Sequence, residues 1–151
     1  IICLKVKIPP PIIVFFLTTL VYLSSKFFIG FDLPFRTPLS LTLLVTGLLI
    51  IFIPVFQFIK SKTTINPQSF KNVNNLVSSG IFKISRNPMY LGMLIIISSS
   101  VVYYFNYFSI FAPFIFYFWI NEFQIKSEEK KLEEKFGSDY VKYKSQTRRW
   151  I

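Results

Sequence analysis

Two groups of ionisable and aromatic residues flank one apolar segment of this chain. The first group contains Arg86 and Tyr90, and the second contains Glu128 and Glu129. An arginine can hold an oxyanion through several N–H donors, and a carboxylate can accept a proton or pair with a cation. About thirty-five mostly apolar residues lie between the two groups. If this segment is a membrane hairpin, its ends meet on one side of the bilayer, and the charged residues form a candidate site.

Each of these residues also has a plain structural explanation. Arg86 could be an interfacial cation that sets the membrane topology, and Tyr90 could be an interfacial aromatic residue. Glu128 and Glu129 could be ordinary charges on the surface of a helix. Residue type alone therefore leaves both interpretations open.

The composition predicts an integral membrane protein. Of the 151 residues, 52% are hydrophobic and 19% aromatic, and 19 are phenylalanine, which is more than a soluble protein of this size buries easily. Most of them fall in four apolar stretches, and the first two reach the length of about 20 residues that a membrane-spanning helix needs. We predict an all-α protein with about four transmembrane helices, in which the two shorter stretches form a tight hairpin, tilted or not fully spanning. The stretches are residues 11–31, 39–59, 90–105 and 107–125.

The net charge of +10 is distributed as the positive-inside rule requires. Basic residues precede the first stretch, fill the middle loop and follow residue 125, whereas the opposite side would carry only Lys26, Asp32 and Arg36. This distribution predicts a multi-pass protein with both termini and the active site in the cytoplasm. The basic excess then reflects topology and contact with membrane lipids, and we expect no nucleic-acid partner.

Several kinds of site are excluded by composition. Cys3 is the only cysteine and the chain has no histidine, so internal disulfides, cysteine clusters and imidazole bases are ruled out, and we expect no metal site. Lys5 and Lys7 precede apolar residues as in a signal peptide. No clear small-residue cleavage site follows, so we expect the first helix to be retained.

The pattern predicts one domain over residues 1–151. It would consist of a helical hairpin, a polar loop, a second hairpin and a charged cytoplasmic tail with an amphipathic helix. We expect Gly137 to end that helix and Ser138 to cap a second short one. The four segments are residues 9–59, 60–87, 88–125 and 126–151.

Two motifs in this order resemble the isoprenylcysteine carboxyl methyltransferase family and the related membrane phospholipid methyltransferases. They are residues 79–92, SGIFKISRNPMYLG, and residues 128–143, EEKKLEEKFGSDYVKY. The ending TRRWI at residues 147–151 is similar to that of small bacterial members. The resemblance implies S-adenosylmethionine-dependent methyl transfer to a lipid-like or small amphipathic acceptor. The alternatives are phospholipid N-methylation and a non-catalytic membrane scaffold that kept the fold.

The resemblance also implies where the cofactor lies, namely where the middle loop, the start of the third helix and the charged tail converge. Glu128 would pair with the cofactor's ammonium group or ribose hydroxyls, and Arg86 would help to hold its carboxylate or a substrate anion. The implied catalytic residues are Arg86, Glu128 and Glu129. The implied cofactor contacts are Asn74, Asn75, Leu76, Val77, Phe82, Asn87, Pro88, Met89, Tyr90 and Glu128.

Two positions depart from the family pattern. Asn87 stands where much of the family has histidine, and Gln124 stands where many relatives have arginine, which argues against a prenylcysteine carboxylate as acceptor. Methyl transfer to a carboxylate needs no base, because a sulfonium is a strong electrophile and catalysis can rest on alignment and desolvation. An amine acceptor would need a base such as Glu122, Glu128 or Glu129.

Overall fold

The computed structural model describes residues 8–60 and 76–151, and every regular element in these two ranges is helical. The predicted all-α class is therefore confirmed for this part of the chain. Asn74 and Asn75, two of the expected cofactor contacts, lie outside the described residues. The elements are α1 (Pro10–Phe27), α2 (Arg36–Lys60), a 3₁₀ turn (Gly80–Lys83), α3 (Pro88–Tyr103), α4 (Phe111–Trp119), a π-helical turn (Ile120–Ile125), α5 (Lys126–Phe136) and α6 (Ser138–Gln146).

Helices α1 and α2 are long and apolar enough to cross a membrane. They contain 18 and 25 residues, and only 17% of the apolar window of each helix is buried inside the protein. A core helix of a soluble protein would be mostly buried, so this exposed apolar surface indicates membrane association. Helix α3 is also apolar but has only 16 residues.

Helices α2 and α3 cross at two glycines. A Cβ atom on Gly92 would lie 2.6 Å from the carbonyl oxygen of Gly47, and a Cβ on Gly47 would lie 2.8 Å from the carbonyl oxygen of Gly92. Farther along the same interface, the Ser99 hydroxyl donates a 2.8 Å hydrogen bond to the carbonyl of Ser40. Small residues allow this close approach of two helix backbones, as is common between membrane helices. The crossing holds α3 and the residues at its start against α2.

Gly92→Ala is expected to destabilise the protein by about 1–3 kcal/mol, because the added methyl group forces α2 and α3 apart. Thermal unfolding in detergent micelles measures the change. Gly30→Ala is the matched control, since a Cβ there would meet only the carbonyl oxygen of Phe105 at an ordinary 3.4 Å. Equal stability of the two variants would contradict the close crossing.

The turns of the two helical pairs lie together at one end of the molecule. Asn106 is fully buried between α3 and α4, and its Nδ2 donates a 2.9 Å hydrogen bond to the Ser24 hydroxyl near the end of α1. Its Oδ1 accepts the backbone N–H of Ser109 at 3.0 Å. The Phe31 N–H donates to the carbonyl of Phe105 at 3.0 Å. The residues around the start of α3 and the end of the π turn therefore lie at the opposite end.

The helical conformation continues without a break from Phe111 to Phe136, through α4, the π turn and α5. It thus crosses residue 125, where the charged tail was expected to begin. Gly137 has φ +51° and ends α5, as predicted. The prediction that Ser138 caps α6 is wrong. Gly137 itself occupies the cap position, and Ser138 is the first residue inside the helix.

Candidate active site

The two sequence motifs meet through a direct hydrogen bond. Tyr90 lies in the first turn of α3, and its hydroxyl donates to Oε1 of Glu128, 38 residues away, at 2.7 Å. The Gln124 amide donates to the same oxygen at 2.5 Å. Gln124 lies in the π turn and Glu128 in the first turn of α5. A π turn closes its hydrogen bonds over one residue more than an α-helix does and is frequent at functional sites. Here the π turn carries Gln124, which donates to Glu128 in the following turn.

The Glu128 carboxyl group holds its proton more tightly than an exposed glutamate does. Burial raises its pKa from 4.5 to about 7, although the hydrogen bonds from Tyr90 and Gln124 lower the pKa. Nearby Lys131 also lowers it, and the charge of Glu129 raises it. Glu128 therefore changes its charge close to neutral pH, which suits a group that exchanges a proton or pairs with a cation.

This raised pKa predicts a pH-dependent stability. The folded chain binds the proton of Glu128 more tightly than the unfolded chain, so the free energy of unfolding should fall as the pH rises from about 5 to about 8. Glu128→Gln cannot titrate and should lose this part of the slope. Thermal unfolding in detergent across this pH range measures both proteins. Parallel curves for wild type and variant would contradict the raised pKa.

Glu129, the next residue, lies between two arginines. Its Oε2 accepts Nη2 of Arg149 at 2.7 Å, and its Oε1 accepts Nε of the same guanidinium at 3.1 Å, which makes a bidentate pair. Nη2 of Arg86 reaches Oε1 at 3.2 Å. The side chains of Arg86 and Glu129 are only 9% and 10% exposed. A buried carboxylate of this kind is held by its partners, so it is not an ordinary surface charge.

The C-terminal segment joins the start of α3 to the helix that carries Glu128. The backbone N–H of Arg86 donates to the carbonyl of Arg148, and Nδ2 of Asn87 donates to the carbonyl of Arg149, each at 3.0 Å. The Trp150 indole donates to Oδ1 of Asn121 at 3.3 Å. Sequence reasoning missed Arg149 as a site residue. The only signal was the basic and aromatic ending of the chain, where an arginine could partner a buried glutamate.

An aromatic cluster forms one side of the site. Phe82, Tyr140 and Tyr143 pack together, and the Tyr143 hydroxyl donates to the carbonyl of Phe82 at 2.7 Å. Leu76 and Val77 pack against this cluster. Burial raises the pKa of Tyr140 to about 12, the charge of Glu129 adds to the increase, and Arg86 opposes it. Three expected cofactor contacts, Leu76, Val77 and Phe82, thus lie at one apolar wall.

Gly80 connects this wall to α2. It has φ +62°, a conformation that favours glycine, and a Cβ there would collide with Nε2 of Gln57. Nearby, the rings of Phe58 and Phe82 lie 5.2 Å apart. The glycine of the first motif therefore lets the 3₁₀ turn approach the end of α2.

The remaining candidates occupy different surroundings. Pro88 is buried and Met89 half-buried at the start of α3, beside Tyr90. The Glu122 side chain is 55% exposed and pairs with Lys126 at 2.6 Å. Within residues 8–60 and 76–151, no group of three or more acidic or cysteine side chains is placed to hold a metal ion.

Comparison with known proteins shows which family the chain resembles. The family described as phospholipid methyltransferase (PEMT) matches residues 35–139, which include α2, α3, α4 and α5. An uncharacterized protein of Haemophilus influenzae is 41% identical over 63 residues, which make up 42% of this chain and the whole of that protein. No solved structure matches the chain.

Proposed function

Because this chain belongs to the phospholipid methyltransferase family, we propose that it transfers a methyl group from S-adenosylmethionine to a lipid-like or small amphipathic acceptor. The observation that carries the proposal is the hydrogen bond between Tyr90 and Glu128, which joins the two motifs at one end of the helical bundle. The proposed catalytic residues are Arg86, Glu128 and Glu129. The proposed cofactor contacts on the described residues are Leu76, Val77, Phe82, Asn87, Pro88, Met89, Tyr90 and Glu128.

The residues present suit S-adenosylmethionine. The cofactor supplies an electrophilic methyl group, so the protein has to bind, orient and exclude water. The apolar wall at Leu76, Val77 and Phe82 is suited to an adenine ring. Glu128 offers a carboxylate near neutral pH to an ammonium group, and Arg86 offers donors to a carboxylate.

Two acceptor classes are proposed. A carboxylate acceptor, as in the isoprenylcysteine-like reaction, needs only alignment beside the methyl donor. An amine acceptor, as in phospholipid N-methylation, needs a proton acceptor, and the pKa of Glu128 near 7 favours this second class. Gln124 adds to that argument, since a neutral amide rather than a cation faces Glu128. In that reaction one oxygen of Glu128 would take the proton of the acceptor's ammonium group while the carboxyl group still contacts the cofactor, and Tyr90 and Gln124 would hold it in place.

We also propose one methyltransferase domain over residues 1–151 with four membrane crossings. The turns after α1 and α3 lie at one end, whereas Lys60 at the end of α2 and the charged residues after Ile125 lie at the other. The basic residues at that second end favour the cytoplasm. Helix α3, and α4 together with the π turn, are shorter than a perpendicular crossing requires. These two segments would therefore cross where the bilayer is locally thinner.

The deciding experiment is transfer of radiolabelled methyl groups to a total membrane lipid extract, followed by treatment with base. Methyl esters release volatile methanol, whereas N-methyl groups remain on the lipid. We expect labelling by the wild type and by Glu122→Gln, whose side chain is exposed, and none by Glu128→Ala. The absence of labelling together with no binding of S-adenosylhomocysteine would favour the scaffold alternative and overturn the proposal.

A further inference from the structure

Arg86 has donors that no described residue of the protein completes with a hydrogen bond. Its side chain is more than nine-tenths buried, and its Nη2 contacts Glu129, yet Nε and Nη1 are buried without a hydrogen-bond partner among the described residues. Leaving a charged donor buried and unsatisfied is costly, so such groups generally have a partner that completes them. The two N–H groups of Arg86 thus point to a ligand that accepts hydrogen bonds.

The neighbouring ion pair explains why Glu129 leaves Nε and Nη1 of Arg86 without a hydrogen bond. Glu129 gives both carboxylate oxygens to Arg149, at 2.7 Å and 3.1 Å, and only one longer contact, at 3.2 Å, to Arg86. A carboxylate without a second arginine would pair with Arg86 through two parallel hydrogen bonds, which is the preferred geometry of this pair. Arg149 therefore competes with Arg86 for the carboxylate.

The local charge agrees with an anionic ligand. Two guanidinium groups surround one carboxylate, which leaves an excess of positive charge beside the buried Arg86, whereas the Arg149 side chain is 33% exposed. Tyr140 beside them is uncharged near neutral pH, and burial raises its pKa to about 12, although the adjacent Arg86 guanidinium lowers the pKa. Glu128, with a pKa of about 7, is only partly ionised there. An oxyanion would balance the excess charge and satisfy the unused N–H groups together.

We propose that Arg149 is a positioning residue, which occupies both oxygens of Glu129 and so keeps Nε and Nη1 of Arg86 available to the oxyanion of a ligand. This inference rests on the proposed function and deepens it. The oxyanion is the carboxylate of the cofactor or the phosphate of a phospholipid acceptor, since both accept two hydrogen bonds from one guanidinium.

The test compares matched ligands that differ only in the anion. Calorimetry on the full chain in detergent measures binding of S-adenosylhomocysteine and of decarboxylated S-adenosylhomocysteine. A second pair is a short-chain phosphatidylethanolamine and the corresponding diacylglycerol. The variants are Arg149→Gln, Arg149→Lys and the control Arg148→Gln, whose exposed side chain lies next in sequence. The readout is the ratio of the two affinities within each pair. A smaller folded fraction weakens both affinities by the same factor and leaves this ratio unchanged.

We expect the wild type to prefer the anionic member of one pair by about tenfold, the value of one hydrogen bond to a charged group. Arg149→Gln should bring that ratio close to one, Arg149→Lys should restore part of it, and Arg148→Gln should keep it. A change in the first pair identifies the cofactor carboxylate, and a change in the second identifies the lipid phosphate. If Arg149→Gln does not fold, Arg149→Lys decides: a lysine cannot make the bidentate pair, so its ratio should fall below that of the wild type, and an unchanged ratio would overturn the proposal.

Unchanged ratios in both pairs would overturn the role of Arg149. A wild type that binds no S-adenosylhomocysteine would overturn the proposed function instead. The lipid pair would still decide the role of Arg149 in that case, so the two failures are distinguishable.

Discussion

Glu128→Gln is expected to weaken the binding of S-adenosylhomocysteine about 30-fold or more and to abolish methyl transfer. Glutamine keeps the shape of glutamate and can still accept the hydrogen bond from Tyr90, but it carries no charge to offer the ligand's ammonium group. Removing one partner of a buried charge pair costs at least about 2 kcal/mol, which corresponds to this factor. Calorimetry gives the affinity, and thermal unfolding should show that the variant remains folded.

Glu122→Gln is the matched control for this prediction. It removes a glutamate six residues earlier on the same continuous helical segment, where the side chain is exposed and pairs with Lys126. We expect an affinity within about twofold of the wild type, because exposed ion pairs contribute little. Equal affinities of Glu128→Gln and the wild type would remove Glu128 from the binding site.

Glu129→Gln is expected to have the largest effect on stability, a loss of about 3 kcal/mol or more. The change leaves the buried guanidinium of Arg86 without its carboxylate and breaks the bidentate pair with Arg149. Breaking a buried ion pair by removing one partner is strongly destabilising, because the remaining charge is buried and uncompensated. Denaturant or thermal unfolding in detergent measures the loss.

Glu133→Gln provides the comparison on the same helix. Glu133 pairs with Lys144 at 3.3 Å, and both side chains are more than two-fifths exposed. We expect a change below about 1 kcal/mol, as for other surface ion pairs. If Glu129→Gln lost no more stability than Glu133→Gln, the two arginines would be solvated in the folded protein and Glu129 would not join the motifs.

The meeting of the two motifs could be predicted from the sequence because a hairpin is a local constraint. Once two apolar segments are joined by a short turn, their outer ends must be neighbours, and Tyr90 and Glu128 lie at those ends. The hydrogen bond between them was not itself predictable. It depends on the π turn, and a single additional residue in a helical turn leaves no clear mark in the periodicity of the chain.

The partners of Glu129 could not be predicted for a different reason. In isolation, the sequence around Glu129 is typical of a solvated helix surface with i,i+4 pairs, and only the path of the C-terminal segment buries this face. That path depends on contacts far apart in the chain, such as the hydrogen bond from Asn87 to the carbonyl of Arg149. The family resemblance therefore predicted a site role for Glu129, but it did not predict the pairing of Glu129 with Arg149.

The junction between α5 and α6 could also be predicted only in part. Gly137 was correctly predicted to end α5, because a positive φ favours glycine strongly. Ser138 was predicted to cap α6, but the cap position falls one residue earlier, at Gly137, the same glycine that ends α5. The order of the helices was thus readable, whereas their exact junction required the structure.

We propose that the residues on both sides of the α3–α4 hairpin form one cofactor site. A double-mutant cycle tests it most directly, with S-adenosylhomocysteine affinity measured for wild type, Tyr90→Phe, Glu128→Ala and the double variant. Residues in contact are expected to show a coupling free energy of at least about 0.5–1 kcal/mol. We predict that Tyr90→Phe weakens binding in the wild-type background and changes little once Glu128 is absent. Additive effects, or no binding by the wild type, would contradict a single site built from the two motifs.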